Sequence, residues 1–235
     1  MPGGNDIAPA GAYSTPVMKG LLLTTLAVWA GMVMLPGRAE GAVQARTLEP
    51  DLLRVAPTLR PEALRAALAA WDALDSQGEV TRPLLTVIDY GLPSITPRMW
   101  VFDLAARQLL FHELVAHGQN SGDDLAESFS NEEGSLMTSL GAFVTGTTYN
   151  GRNGYSLRLR GMDPGVNDRA EARTIVLHGA PYVCDGVAHK LGRLGRSHGC
   201  PAVRPAIARA LIDEVKDHTL LYAWHPSMDP AERIR

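Results

Sequence analysis

Two stretches of the chain carry residues that could do covalent chemistry. The first is Ile175-Val176-Leu177-His178-Gly179, an apolar run closed by a histidine. The second is Gly195-Arg196-Ser197-His198-Gly199-Cys200-Pro201, a cysteine between glycine-bearing neighbours, 22 positions further on (200 − 178). A thiol is a poor nucleophile until it loses its proton. A neighbouring imidazole can take that proton, and the ion pair so formed lowers the thiol pKa. Gly199 lets the backbone approach a substrate closely. It would also let the amides of Gly199 and Cys200 point at a developing oxyanion, each donor being worth about 3 kcal/mol in the transition state. The carbonyl of Gly179 could hold the far imidazole nitrogen and so fix the tautomer, as an orienting third member. The chemistry would be nucleophilic attack by sulfur on a group that develops an oxyanion.

Such a pair needs a strand that delivers His178 to its end and a turn that presents Cys200 ahead of a helix. The sequence predicts both. Short β-like runs are expected at 142–144, 155–159 and 174–178, and a helix at 205–216 with Ile207, Leu211 and Val215 facing inward. Upstream, Pro61 opens a helix with Leu64, Leu68, Trp71 and Leu74 on one face, ended by Gly78. Residues 84–90 read as a buried strand, and 99–102 and 109–115 as a hairpin. Residues 117–141, rich in Gly, Ser, Asn and Asp, form a long loop of the kind that is often functional. Residues 219–224 read as a closing strand. The expected class is β-rich α+β, with a helix before the core and another after the cysteine.

Composition narrows the field. The chain has 235 residues, 46% hydrophobic and 20% charged, which suits one globular domain with extra segments. A net charge of −3 gives no general field for nucleic acid. Two cysteines, Cys184 and Cys200, are too few for a disulfide framework. At the N-terminus, Met18-Lys19, the apolar run 20–35 and the small residues after Pro36 describe a secretory signal. Cleavage is expected near Ala39 or after Val43-Gln44-Ala45, and Met18 is an alternative start. The apolar run is shorter than the roughly 20 residues that span a bilayer, so no stable membrane span is expected after cleavage. The resulting division is 1–45 disordered N-terminus and signal, 46–82 linker (46–60) and helix, 83–225 catalytic domain, and 226–235 tail.

With these residues in view, the chain resembles the L,D-transpeptidase catalytic (YkuD-like) domain. Ser197-His198-Gly199-Cys200 matches that family's signature tetrapeptide and His178-Gly179 its upstream histidine. Thr138-Ser139-Leu140-Gly141-Ala142-Phe143 matches a second block, with Ser139 where proline is usual. The interval from His178 to Cys200 is longer than in the commonest members. Pro201-Ala202 replaces the usual apolar residue and Asn or Arg, as in a divergent branch with a Gly-Arg-Ser-x-Gly-Cys-Pro-Ala motif. The resemblance covers 83–225. It implies a β-sandwich core, no metal and no organic cofactor. It also implies a cysteine acyl-enzyme formed on peptidoglycan stem peptides, with loss of D-Ala. The acyl group would pass to an amine acceptor such as a second stem or a lipoprotein. With water as acceptor the same site would be an L,D-carboxypeptidase, and an amidase trimming cross-links is a further variant. The location would be periplasmic or otherwise secreted.

Other readings of the same residues compete. Arg196 and Arg204 could grip a stem-peptide carboxylate, since guanidinium and carboxylate match in bidentate fashion, or could simply be solvated. His198 could line the site or serve structure. Ser197 reads as a turn residue bracing the loop. Cys200 could be an ordinary buried thiol and the protein a non-catalytic wall-binding module. Cys184 reads as small core filler, with a redox bridge to Cys200 as a minor option. Gly195-Arg196-Ser197-His198-Gly199 also fits a serine-hydrolase elbow, but only His218 and His225 follow, with too little chain for the remaining strands. His112-Glu113-Leu114-Val115-Ala116-His117 spaces its histidines five apart, so the two rings would not share one helical face. His178, Cys184, His189, His198 and Cys200 match no common zinc spacing.

Overall fold

The structure, a computed structural model, describes residues 45–228. The expected signal segment and the C-terminal end lie outside the described residues. Within them, no helix is long and apolar enough to cross a membrane.

Eight strands form one hydrogen-bonded sheet: β1 Leu84–Asp89, β2 Met99–Asp103, β3 Gln108–Glu113, β4 Gly141–Gly151, β5 Gly154–Gly161, β6 Val176–Gly179, β7 Ala202–Val203 and β8 Leu220–Trp224. Their order is β3-β2-β1-β8-β4-β5-β6-β7. The β1/β8 and β6/β7 pairs are parallel and the others antiparallel. Among the described residues four α-helices accompany the sheet, so the β-rich α+β class expected from the sequence is the class observed.

Strand alternation sorts the core into two layers. Leu85, Val87, Trp100, Phe102, Ala142, Val144 and Leu220 pack with α1 (Glu49–Val55) and α2 (Pro61–Ser76). Ile88, Met99, Val101, Phe143, Leu221 and Ala223 pack with α4 (Pro205–Val215). Successive side chains of a strand point to opposite faces, so both faces of the central strands are apolar and covered. Both α2 and α4 begin with proline at a position where its missing N–H costs nothing. Each buries one stripe at helical spacing: Leu64, Leu68 and Trp71 in α2, and Ala208, Leu211 and Val215 in α4.

Residues 46–60, expected as a linker, are helical as far as Val55 and turn from there to α2. A 3-10 turn at Ala45–Leu48 leads into α1, and Leu48, Leu52, Ala56 and Leu59 are buried in the α2 layer. Their apolar spacing is too short to show a helical period, and Pro50 and Pro57 read as punctuation. The sheet therefore shares its core with this N-terminal segment.

The segment between β5 and β6 leads to the histidine and is pinned by a buried amide. Asn167 Nδ2 donates to the carbonyls of Leu140 and Ala142, both at 2.9 Å, and its Oδ1 accepts from the Asp163 amide at 2.9 Å. Asp163 Oδ2 in turn accepts from the Ala142 amide at 2.7 Å. Asn167→Ala would strand these groups away from water, and the expected loss is about 2–4 kcal/mol of folding stability. Urea unfolding of the variant beside wild type measures it; a loss under about 0.5 kcal/mol would contradict the buried network.

Candidate active site

The β6/β7 pairing brings the two chemical residues together. His178 lies opposite Ala202 in parallel register, and its amide donates to the Pro201 carbonyl at 3.4 Å. The strand end that carries His178 therefore runs beside the turn that carries Cys200. Both side chains line one cleft of about 630 Å³.

The turn around Cys200 is held by small hydroxyls. Ser197 Oγ donates to the Cys200 carbonyl at 2.6 Å, and the Gly199 amide donates to Ser197 Oγ at 3.1 Å. Thr138 Oγ1, which accepts from the Gly118 amide at 2.9 Å, donates to the Gly199 carbonyl at 3.4 Å. Gly199 has φ +115°, and a Cβ there would stand 2.6 Å from the Met137 carbonyl oxygen. Glycine is thus required both by conformation and by space. The expectation of two oxyanion donors needs correction. The Gly199 amide is already committed to Ser197, whereas the Cys200 amide has no hydrogen-bond partner among the described residues.

His178 Nδ1 lies 2.9 Å from the Gly179 carbonyl oxygen. A carbonyl only accepts, so Nδ1 carries the proton and Nε2 presents a lone pair. Burial pushes the His178 pKa down, with the Gly179 hydrogen bond opposing. Burial pushes the Cys200 thiol up, against the Val176 backbone and the charge of Arg173. Near neutral pH the resting pair is therefore neutral thiol and neutral imidazole. The Cys200 sulfur lies 3.8 Å from the Thr174 carbonyl oxygen, a long contact suited to a weak S–H donor.

A sequence profile described as L,D-transpeptidase catalytic domain matches residues 55–224. The chain belongs to the L,D-transpeptidase catalytic domain family. Similar solved structures include an L,D-transpeptidase from Mycobacterium smegmatis, 15% identical over 60% of this chain and 58% of that one, TM-score 0.37. The helical cell shape determining protein Pgp2 of Campylobacter jejuni is 16% identical over 60% of this chain and 47% of that one, TM-score 0.40. Bd1075 of Bdellovibrio bacteriovorus is 18% identical over 61% and 48%, TM-score 0.38. The chain thus spans about half the length of these structures, and at such scores the likenesses add nothing to the family match. No curated protein matches the sequence.

Within this L,D-transpeptidase domain the remaining candidate residues separate. His198 is exposed and lines the cleft, as does Arg196. Arg196 is tied down, donating to the carbonyls of Gln119 (3.1 Å) and Gly122 (2.8 Å) and to Asp123 Oδ1 (3.0 Å). Arg204 is not brought to the cleft lining. Its Nε and Nη2 donate to Glu113 Oε2 at 2.9 and 2.5 Å. Cys184 and Cys200 are both free thiols, with Cys184 half-buried at the start of α3 (Asp185–Leu191).

Thr174, Arg173 and Tyr182 are among the cleft residues that give no local signal in the sequence. Burial pushes the Tyr182 phenol up to about 12, so it stays protonated. Arg173 reaches across to the 130–139 stretch, which lies 34–43 positions away in sequence.

His117 is fully buried on the loop that carries Gly118. Nδ1 accepts from Arg98 Nη2 at 2.8 Å, and Nε2 donates toward the Gly122 carbonyl at 3.3 Å. His112 lies on β3 and stacks on Trp100, so the two histidines serve separate surroundings. Burial, reinforced by Arg98, pushes the His117 pKa down to about 4. His178 is shifted the same way. Between about pH 6.5, where unfolded histidine titrates, and about pH 4, the unfolded chain binds protons that the folded one refuses. Stability is therefore expected to fall as pH drops through that window. Urea midpoints at pH 7 and pH 4.5 test this, and an unchanged or higher midpoint at pH 4.5 would contradict the buried neutral rings.

Proposed function

We propose that this protein is a murein L,D-transpeptidase working outside the cytoplasm, reached through its N-terminal signal. The observation that carries the reading is the common cleft of Cys200 and His178, with His178 Nδ1 held by the Gly179 carbonyl.

In this reading the stem tetrapeptide of peptidoglycan enters the cleft. As the thiol attacks the carbonyl of the third residue, its proton passes to His178 Nε2 and a carbon–sulfur bond forms. The Cys200 amide faces the developing oxyanion, and His198 and Arg196 bound the bed for the donor peptide. The carbon–nitrogen bond then breaks, and the Nε2 proton leaves with the amine of D-Ala. In the second half, an acceptor amine from another stem or from a lipoprotein loses a proton to Nε2 and attacks the thioester. An amide forms and the thiolate takes back the proton.

A strained acyl donor and an added amine test this account. A carbapenem is expected to add its whole mass to the peptide containing Cys200, because ring opening has no leaving group to lose. With tetrapeptide substrate and an added amine, the protein is expected to give the amine conjugate. Release of D-Ala with water as the only acceptor would instead mark an L,D-carboxypeptidase. Absence of any adduct on Cys200 and of any product would mark a binding module and sink the reading.

A further inference from the structure

The cleft holds a cation with no carboxylate among its hydrogen-bond partners. Arg173 Nη1 donates to the Ser130 carbonyl at 2.6 Å and also to Ser139 Oγ. Nη2 donates to Ser135 Oγ at 3.2 Å and to the Met137 carbonyl at 2.6 Å. All of these acceptors are neutral. Nε is buried without a partner among the described residues. The guanidinium also abuts the nucleophile's turn, since a Cβ on Gly199 would lie 3.3 Å from Nη2. The cleft lining shared by Arg173 and Cys200 contains no Asp or Glu.

A half-buried charge with only neutral partners is expensive unless an anion faces it. The nearby group able to become one is the sulfur. We infer that Arg173 is the counter-ion and positioning residue of the Cys200 thiolate, fixed in place by the 130–139 stretch. This inference rests on Cys200 being the nucleophile. Here His178 is the proton acceptor, while Arg173, which never loses its proton, holds the negative charge at sulfur. Burial disfavours both imidazolium and thiolate. A permanent cation is what allows the ionised state to form at all.

The other groups that face Cys200 are few. His178 stands on β6, Tyr182 beyond it and Tyr90 after β1, Arg196 and His198 lie on the cysteine's own turn, and Tyr149 and Arg152 line the same cleft from the end of β4 and the turn after it. The phenols of Tyr90 and Tyr182 are pushed up by burial and stay neutral near pH 7. Glu132, which faces Arg173, is exposed and paired with Arg169 at 2.7 Å.

The test is the pH dependence of iodoacetamide alkylation, read on the Cys200 peptide of the full chain. Arg173→Gln removes the charge and keeps hydrogen-bonding capacity; Arg173→Lys keeps the charge and loses the fork. The glutamine variant is expected to shift the reaction midpoint upward by about one pH unit or more, with the lysine variant close to wild type. A folded Arg173→Gln with a wild-type midpoint overturns the inference and leaves Arg173 as a clamp on the 130–139 stretch. If Arg173→Gln does not fold, wild type decides. Cys200 should then react several-fold faster with anionic iodoacetate, relative to neutral iodoacetamide, than the same thiol does in the urea-unfolded chain. An equal or lower ratio overturns the inference. A Cys200 that reacts with neither reagent in the folded protein instead defeats the nucleophile assignment on which the inference rests.

Discussion

Cys200→Ala is expected to give a folded protein with no covalent intermediate and turnover lowered by about 10⁶, the scale seen when a nucleophile is removed from a catalytic unit. The fold should survive because the turn does not depend on the sulfur. Ser197 and Thr138 hold the carbonyls of Cys200 and Gly199, and Gly199 supplies the φ of +115°. The sulfur touches only backbone groups here, the Thr174 carbonyl at 3.8 Å and the Val176 backbone. Steady-state assays with stem tetrapeptide, beside thermal unfolding of both proteins, separate lost chemistry from lost structure. Residual turnover above about one part in 10³ would point to a different nucleophile.

His178→Ala should follow, with a loss of about 10²–10⁴ in kcat/KM, the range for removal of a positioned acid–base group. The thiol would remain but would have no base beside it. The pH profile gives a sharper reading than the size of the loss. Nε2 must be unprotonated to act as base, and burial holds the His178 pKa below its ordinary value. The acidic limb of the wild-type kcat/KM profile should therefore break below pH 6.5, the ordinary histidine value. In His178→Ala that limb should vanish. A wild-type break well above pH 6.5 would contradict a depressed His178 as the group that must lose its proton.

Much of this site was legible in the sequence because its parts are local. The run ending at His178 is a strand, the glycine-flanked cysteine precedes a helix opened by Pro205, and Gly179 sits where its carbonyl meets the histidine's own ring. The apolar runs of Leu84 to Asp89 and of Met99 to Asp103 likewise gave those strands away. What escaped depends on contacts distant in sequence or on elements too short to show a period. The α1 and α3 helices have seven residues each, and no residue of α3 is buried. The salt bridge that draws Arg204 to Glu113 joins positions 91 apart. Arg173 has no motif around it, and its meaning arises only when the 130–139 stretch folds over it. The Gly199 amide illustrates the limit of motif reading: the serine that makes the turn rigid also takes the amide that a tetrapeptide alone would assign to the oxyanion.

The most direct test of the central claim is mass spectrometry of tetrapeptide muropeptides incubated with the full chain and, in parallel, with Cys200→Ala. The account predicts dimers newly cross-linked between third stem residues, with one D-Ala released per link, in the wild-type sample alone. Unchanged muropeptides in both samples, or the same dimers from Cys200→Ala, would contradict it.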